Sequence, residues 1–137
     1  MRHLLIESSG VRIRARLLAN QTAEIVWLGL PLHSTLRFWG RLVWIDTPFE
    51  AYRELSSRDV LKRGEIAFIP DRDDIVLGYG ATPIATAGEI RVPGLATVFA
   101  EALDDVEALR DMVDGAVVSI TRLTGSARAS VPAAGRR

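Results

Sequence analysis

The chain has 137 residues, of which 48% are hydrophobic and 25% are charged, as in a globular protein of one domain and unlike a disordered or fibrous chain. The 17 basic and 17 acidic residues balance, which argues against a general nucleic-acid or membrane-surface binder. The sequence has no cysteine, so disulfides, thiolate metal sites and a thiol nucleophile are excluded. Charged residues interrupt the apolar stretches, and we therefore expect a soluble, unexported protein without a membrane segment. The absence of cysteine agrees with a cytoplasmic location.

The first third of the chain predicts two strands and a helix. Residues 4–7 and 11–18 predict strands joined by a Ser-Ser-Gly turn. In the second strand arginines alternate with apolar residues, which places three guanidiniums on a solvated face. Residues 20–30 predict a short helix, because apolar residues recur at helical spacing behind a cap at Asn20 or Thr22.

The middle of the chain predicts more strand structure around a long loop. Residues 34–46 read as strand with a break at Gly40. Residues 49–64 are rich in charge and predict a surface loop with room for one helical turn. Residues 65–70 and 75–79 predict a hairpin across an Asp-Arg-Asp-Asp turn.

The last third predicts a strand, a helix and a strand. Residues 95–102 predict a strand. Residues 104–112 predict a helix, whose acidic first residues suit the positive end of the helix dipole. Residues 116–123 form the last strand, whereas 124–137 contain small residues, arginines and no acid and predict a flexible tail. We therefore expect one domain over 1–123. About eight short strands and two short helices predict a mainly antiparallel barrel or sandwich.

Four short strings stand in an informative order along the chain. They are residues 38–40 (FWG) with 44–48 (WIDTP), residues 64–70 (GEIAFIP), residues 78–84 (GYGATPI) and residues 97–112 (TVFAEALDDVEALRDM). Together they resemble the small stand-alone prokaryotic cyclophilin-like proteins. This resemblance covers most of residues 2–123 and implies a mainly β fold, a cyclophilin-like closed antiparallel β-barrel of about eight strands with two short helices. It assigns no general activity.

The resemblance also raises prolyl isomerisation, the reaction of true cyclophilins. Those enzymes lower the ~18–20 kcal/mol barrier to amide rotation with an arginine that hydrogen-bonds the twisting imide in an apolar pocket. Arg37 lies near the position that the resemblance implies for this arginine. The histidine of the family is replaced by Ala96 ahead of Phe99, and the Gln-Phe-Phe string of true isomerases is absent. These departures argue against isomerase activity.

A pocket on one face of the barrel is the remaining prediction, because apolar walls with few polar groups are the usual form of a small-ligand site. Trp39 and Tyr79 are the strongest candidates, since each adjoins a glycine that lets a ligand approach closely. Arg37 would supply a polar anchor, and Thr82, before a proline, a rigid rim. The predicted ligand-binding residues are Phe38, Trp39, Phe68, Tyr79, Thr82 and Phe99.

Other motifs predict no cofactor and no metal. His3 and His33 are the only histidines and lack the spacing of a zinc motif. The Gly-Tyr-Gly string at 78–80 lacks the third glycine of a dinucleotide-binding turn. The acidic residues at 71–74 lack the glycine and distal glutamate of a calcium loop and suit a solvated turn.

Three functions therefore stay open. The first is binding of a small molecule or peptide in the barrel pocket, which the loss of the family's histidine favours. The second is an enzyme, either a degenerate prolyl isomerase with Arg37 or a different reaction using Glu50, Tyr79 or His33, so Arg37, His33 and Glu50 are the catalytic candidates. The third is an interaction module whose strand edges pair with a partner protein or with a second copy.

Overall fold

The computed structural model describes residues 2–123, so the predicted tail at 124–137 lies outside the described residues. They form nine strands, one α-helix and one 3-10 helix. The strands and the α-helix are β1 (His3–Ser8), β2 (Val11–Leu17), α1 (Gln21–Leu28), β3 (Leu32–Trp39), β4 (Leu42–Asp46), β5 (Arg58–Leu61), β6 (Glu65–Ile69), β7 (Asp74–Gly78), β8 (Ile90–Ala102) and β9 (Val117–Leu123), and the 3-10 helix is Val106–Asp111.

Eight of the strands close into an antiparallel barrel in the order β2-β1-β9-β3-β4-β7-β6-β8, and β8 returns to pair with β2. The closing contact pairs Ala102 with Ala15 and Ala100 with Leu17. The strand β9 lies between β1 and β3, so the two ends of the described chain meet within the sheet. Closure pairs the edges that an open sheet would expose. The predicted architecture, a mainly β closed antiparallel barrel of about eight strands with two short helices, is confirmed.

The main core fills the barrel with the inward residues of every ring strand. Along β2 the alternation is as predicted, with Ile13, Ala15 and Leu17 buried and the arginine before each of them facing outward. Each of these arginines is paired with an acid, in the pairs Arg12–Glu7, Arg14–Asp104 and Arg16–Glu101. The positive charges of these three arginines are therefore neutralised, and the outward face of β2 forms no basic patch.

A second apolar cluster lies outside the barrel, against the outward faces of β4, β7 and β6. The first half of β8, residues 90–96, leaves the barrel and pairs with β5. We call β5 and residues 90–96 the flap. Its apolar residues cover outward side chains of the barrel, and the cluster contains Leu42, Trp44, Leu61, Ala67, Ile69, Val76, Ile90, Val92 and Ala96. Gly78 lets the flap approach, because a Cβ there would lie 2.6 Å from Ile90 Cγ2.

The structure corrects three sequence predictions, of which the first two concern the flap. Residues 58–61 form β5 where a loop was expected, and β8 begins at Ile90 instead of residue 95. The charged residues that suggested a loop pair with residues of other strands. For example, Arg58 on β5 donates two hydrogen bonds to Glu65 on β6, at 2.8 and 2.7 Å. The predicted helix at 104–112 is a 3-10 helix in the structure, begun by the Asp105 cap.

Helix α1 forms within the predicted range and has the predicted Asn20 cap, whose side chain accepts from the Ala23 amide at 2.8 Å. The helix covers one end of the barrel, because its residues Ala23 and Val26 belong to the main core. The loop after β4 is held along this helix at two points. The Phe49 ring packs against Gly29 at the helix end, and the Glu54 carboxylate accepts from the Thr22 amide at 2.8 Å at the helix start. No helix within residues 2–123 has the length and apolar character needed to cross a bilayer.

Replacing Gly29 by alanine should lower the free energy of unfolding by about 1–3 kcal/mol, because the new Cβ would overlap the Phe49 ring and force it to move. Urea denaturation measures the loss. Gly94→Ala is the matched control, since a Cβ there meets only Ile69 Cγ2 at an ordinary 3.5 Å. Phe49→Leu should recover part of the stability of Gly29→Ala, and equal losses in the two alanine variants would contradict the contact.

The Thr97→Val variant should be more stable than the wild type by about 1 kcal/mol. The Thr97 hydroxyl is fully buried in β8 and has no hydrogen-bond partner among the described residues, and valine keeps the shape without the polar atom. Thermal and urea unfolding compare the two proteins. Thr97→Ser, which keeps the hydroxyl and loses the methyl, should be destabilised, and a less stable Thr97→Val would show that the hydroxyl has a partner.

Candidate functional site

The outward faces of β3, β4 and β7 carry a cluster of aromatic and charged side chains beside the flap. Inward residues such as Val43 and Ile45 alternate with them along β4. The strand register places Arg37 opposite Trp44 and Asp46 opposite Asp74, so side chains from three strands meet on one surface. We call this cluster the Trp–Asp site, and its members are Arg37, Trp39, Trp44, Asp46, Arg72 and Asp74.

The two tryptophans form the apolar part of the Trp–Asp site. Their ring centroids lie 6.1 Å apart with an interplanar angle of 79°, an edge-to-face contact. Trp44 is buried under the flap, and the Arg72 guanidinium carbon lies 5.4 Å from its ring centroid. Trp39 is only partly buried. The buried Trp44 ring thus packs against the Trp39 indole, which is partly exposed to solvent.

The two aspartates differ in environment although they face each other across the β4–β7 pair. Asp74 is only 8% exposed, and its Oδ2 accepts a hydrogen bond from the Trp44 indole nitrogen. Asp46 is exposed, and its Oδ1 accepts from Arg37 Nη2 at 2.8 Å. Burial raises the pKa of Asp74, and the adjacent Asp46 carboxylate raises it further, against the opposing effects of the Trp44 indole and Arg37. Asp74 therefore holds a proton more tightly than an ordinary aspartate.

The structure brings together some of the predicted site residues and separates others. Arg37 and Trp39 lie in the Trp–Asp site. Phe68 and Phe99 are fully buried inside the barrel, on the other side of the sheet. Phe38 and Tyr79 are partly buried, and Phe38 packs with Tyr79 against that same inner core.

Thr82 lies beside the β3–β4 turn that follows Trp39, since a Cβ on Gly40 would lie 3.0 Å from the Thr82 Cα. The Thr82 side chain is buried and donates to the Arg91 carbonyl in the flap. Its neighbours pack on the β3–β4 turn, where the Arg41 amide donates to the Ala81 carbonyl at 3.0 Å. Gly40, directly after Trp39, has a φ of +62°, and a Cβ there would meet the Ala81 carbonyl at 2.8 Å. The segment containing Thr82 therefore holds the turn that carries Trp39.

His33 and Glu50 are not members of the Trp–Asp site. His33 is exposed on β3 opposite Ser119, four residues before Arg37 and so about 13 Å away along the strand. Glu50 is exposed in the loop after β4. No group of three or more potential metal ligands comes together within residues 2–123.

Sequence reasoning missed four members of the Trp–Asp site, which are Trp44, Asp46, Arg72 and Asp74. Trp44 and Asp46 belong to a string that supported the family resemblance, and the two others belong to an acidic turn that was interpreted as solvated. Alternation along β4 could have placed Trp44 and Asp46 on one face. Their meeting with Asp74 depends on the β4–β7 register, which no local pattern encodes.

The stability difference between the wild type and Asp74→Asn should depend on pH. A carboxyl with a raised pKa binds its proton more tightly in the folded than in the unfolded chain. The wild type should therefore gain stability relative to the variant as pH falls through the folded-state pKa of Asp74 toward its ordinary value of 3.8. Urea denaturation from about pH 7 to about pH 4 measures this difference. Asp71→Asn, at an exposed residue of the same turn, is the control, and a pH-independent difference for Asp74→Asn would contradict the raised pKa.

Comparison with known proteins agrees with this architecture. A family model described as cyclophilin-like matches residues 2–121. The solution structure of a hypothetical protein from Archaeoglobus fulgidus is similar to this chain with a TM-score of 0.76 and 27% sequence identity, and the match covers 88% of this chain and 94% of the archaeal one. A search of curated proteins gives no match. The chain belongs to the cyclophilin-like family.

Proposed function

We propose that this protein binds a small molecule or an extended peptide at the Trp–Asp site. The observation that carries the proposal is the partly exposed Trp39 ring beside the exposed ion pair of Arg37 and Asp46. One apolar surface, one cluster of donors and one acceptor then face solvent together. A few polar groups placed around an apolar surface is the arrangement expected of a ligand site.

The chemistry of the three side chains favours a ligand that carries an amide next to an apolar ring. A guanidinium has five N–H donors, so Arg37 can donate to a ligand carbonyl while it keeps its bond to Asp46. The Asp46 carboxylate can accept from a ligand N–H, and the Trp39 ring can stack on a planar or prolyl ring. Peptides and many small heterocyclic amides combine these features.

The surroundings of the site hold these groups in place before a ligand arrives. The Asp46 carbonyl accepts from the Ser34 hydroxyl at 2.7 Å, and Trp44 is fixed by its bond to Asp74. The turn after Trp39 is packed against the segment that contains Thr82. Groups already ordered lose less conformational entropy on binding, which favours affinity.

A reaction at the same site is the second candidate, and the raised pKa of Asp74 favours it. A carboxyl that holds its proton more tightly than an ordinary aspartate can act as a general acid or base, with Asp46 as its neighbour. Prolyl isomerisation would instead depend on Arg37, whose guanidinium would turn from Asp46 to the imide of the substrate. His33 and Glu50, which are not members of the Trp–Asp site, would serve a different reaction.

The setting in which the protein acts is also part of the proposal. We expect it to act in the cytoplasm, without nucleic acid or a membrane as partner, because it has no cysteine and its charges balance. Self-association would use β5, which ends the order of paired strands and is bonded on one side to β8. Light scattering over a range of concentrations tests this, and a strict monomer would exclude it.

Ligand binding should raise the melting temperature of the wild type and should fail in two variants. The screen uses Xaa-Pro tetrapeptides and a set of small heterocyclic amides, since a ligand at about 100 times its Kd adds about 2.7 kcal/mol to stability. Arg37→Ala and Trp39→Leu should each weaken binding at least about tenfold, because each removes one of the three contacts. Arg12→Ala removes an ion pair of similar exposure on β2 and should leave binding unchanged.

The outcomes separate the candidates. A ligand whose affinity is unaffected by both site variants would overturn the proposed location. If Xaa-Pro peptides bind, isomerisation is measured by exchange NMR, and a rate that is lost in Arg37→Ala would assign the isomerase reaction. A reaction whose rate falls in Asp74→Asn with unchanged affinity would assign acid–base catalysis. No shift with any compound would direct the search to a partner protein.

A further inference from the structure

A cavity of about 290 Å³ opens at the barrel end that α1 covers, where β1 begins and β2 ends. It shares no residue with the Trp–Asp site. A water molecule takes about 30 Å³ of liquid volume, so the cavity has room for a molecule of several heavy atoms. Its apolar wall is formed by Leu17, Leu18 and Ala23, and its charged residues are Arg2 and Glu24.

The two charged residues form an ion pair that is about half exposed. Arg2 Nη1 lies 2.6 Å from Glu24 Oε1. The guanidinium carbon of Arg2 is also 5.2 Å from the centroid of the Trp27 ring, and Arg122 lies 4.9 Å from the same ring and donates to the Trp27 carbonyl at 2.8 Å. Trp27 is thereby fixed in place, and it holds the Arg2 guanidinium in position.

The remaining polar side chain of the lining is already satisfied by the protein. Asn20 accepts from the Ala23 amide with its oxygen and donates to the Val98 carbonyl at 2.9 Å with its nitrogen. The lining therefore offers a ligand two opposite charges and an apolar wall. Arg2 and Glu24 compensate each other in the free protein. A ligand with a single charge that replaces one of them in this pair would leave the other without a partner, whereas a ligand with both charges can bond to both.

We propose that this cavity binds a free α-amino acid with an apolar side chain of about the size of leucine. Its carboxylate would accept hydrogen bonds from the Arg2 guanidinium, and its ammonium group would donate to the Glu24 carboxylate. Its side chain would pack against Leu17, Leu18 and Ala23 and bury apolar surface. The two charged groups of an amino acid are separated by one carbon atom, which matches the direct contact between Arg2 and Glu24.

The test is a titration of the full chain with three probes that share the leucine side chain, followed by isothermal calorimetry and by amide NMR shifts. The probes are L-leucine, 4-methylpentanoate, which lacks the ammonium group, and 3-methylbutylamine, which lacks the carboxylate. L-Leucine should bind saturably and shift the amides of residues 17–24. Each singly charged probe should bind at least about tenfold more weakly, since it loses one charge-assisted contact.

Variants locate the site and keep the proposal independent of folding defects. Arg2→Gln and Glu24→Gln should each weaken L-leucine binding about tenfold, because each removes one charge-assisted contact with the ligand. Both side chains are about half exposed, so the variants should keep the core intact. Arg12→Gln, in the exposed pair with Glu7, and Trp39→Leu, in the Trp–Asp site, should leave it unchanged. Absence of saturable binding, equal binding of the three probes, or L-leucine binding that survives both charge variants would each overturn the proposal.

Discussion

The course of β8 is the constraint on which the rest of the structure depends. This strand has 13 residues, and its second half closes the barrel by pairing with β6 and β2. Its first half leaves the barrel and pairs with β5 on the outside. The register against β6 shifts by one residue near Phe99, so Phe99 and Ala100 both belong to the inner core. One strand thus supplies both the closing contact and the outer cover.

That outer cover explains the unusual chemistry of the Trp–Asp site. With the flap on one side and the barrel interior on the other, all five residues of β7 are buried. Asp74 is the polar member of this strand, and burial without a partner would be costly for a carboxylate. The Trp44 indole meets part of that requirement by donating to it. A buried carboxyl with a raised pKa therefore follows from covering a sheet that already had one apolar face.

Local patterns predicted the elements whose residues determine their own conformation. The Asn20 cap, the apolar spacing of α1 and the alternation of arginines along β2 all have the predicted structure. The flap could not be predicted in this way, because the charges of β5 are satisfied by residues such as Glu65 and Arg91 on other strands. The candidate site was predicted only for Arg37 and Trp39. Phe68 and Phe99 were predicted to bind ligand because they are aromatic, although the alternation of their strands places them inside the barrel.

The position of β9 between β1 and β3 has a consequence for how the chain folds. Residues 3–7 pair with residues 119–123, so the barrel joins its first strand to its last. Such a pairing closes a long loop, so the chain loses conformational entropy before the stabilising contacts between the two strands can form. On a ribosome the first strands would be made well before their partner, and β1 would keep one edge unpaired until the last strand emerged. The protein is therefore expected to complete its fold only after synthesis has passed Leu123, with the early hairpin of β1 and β2 exposed to other chains until then.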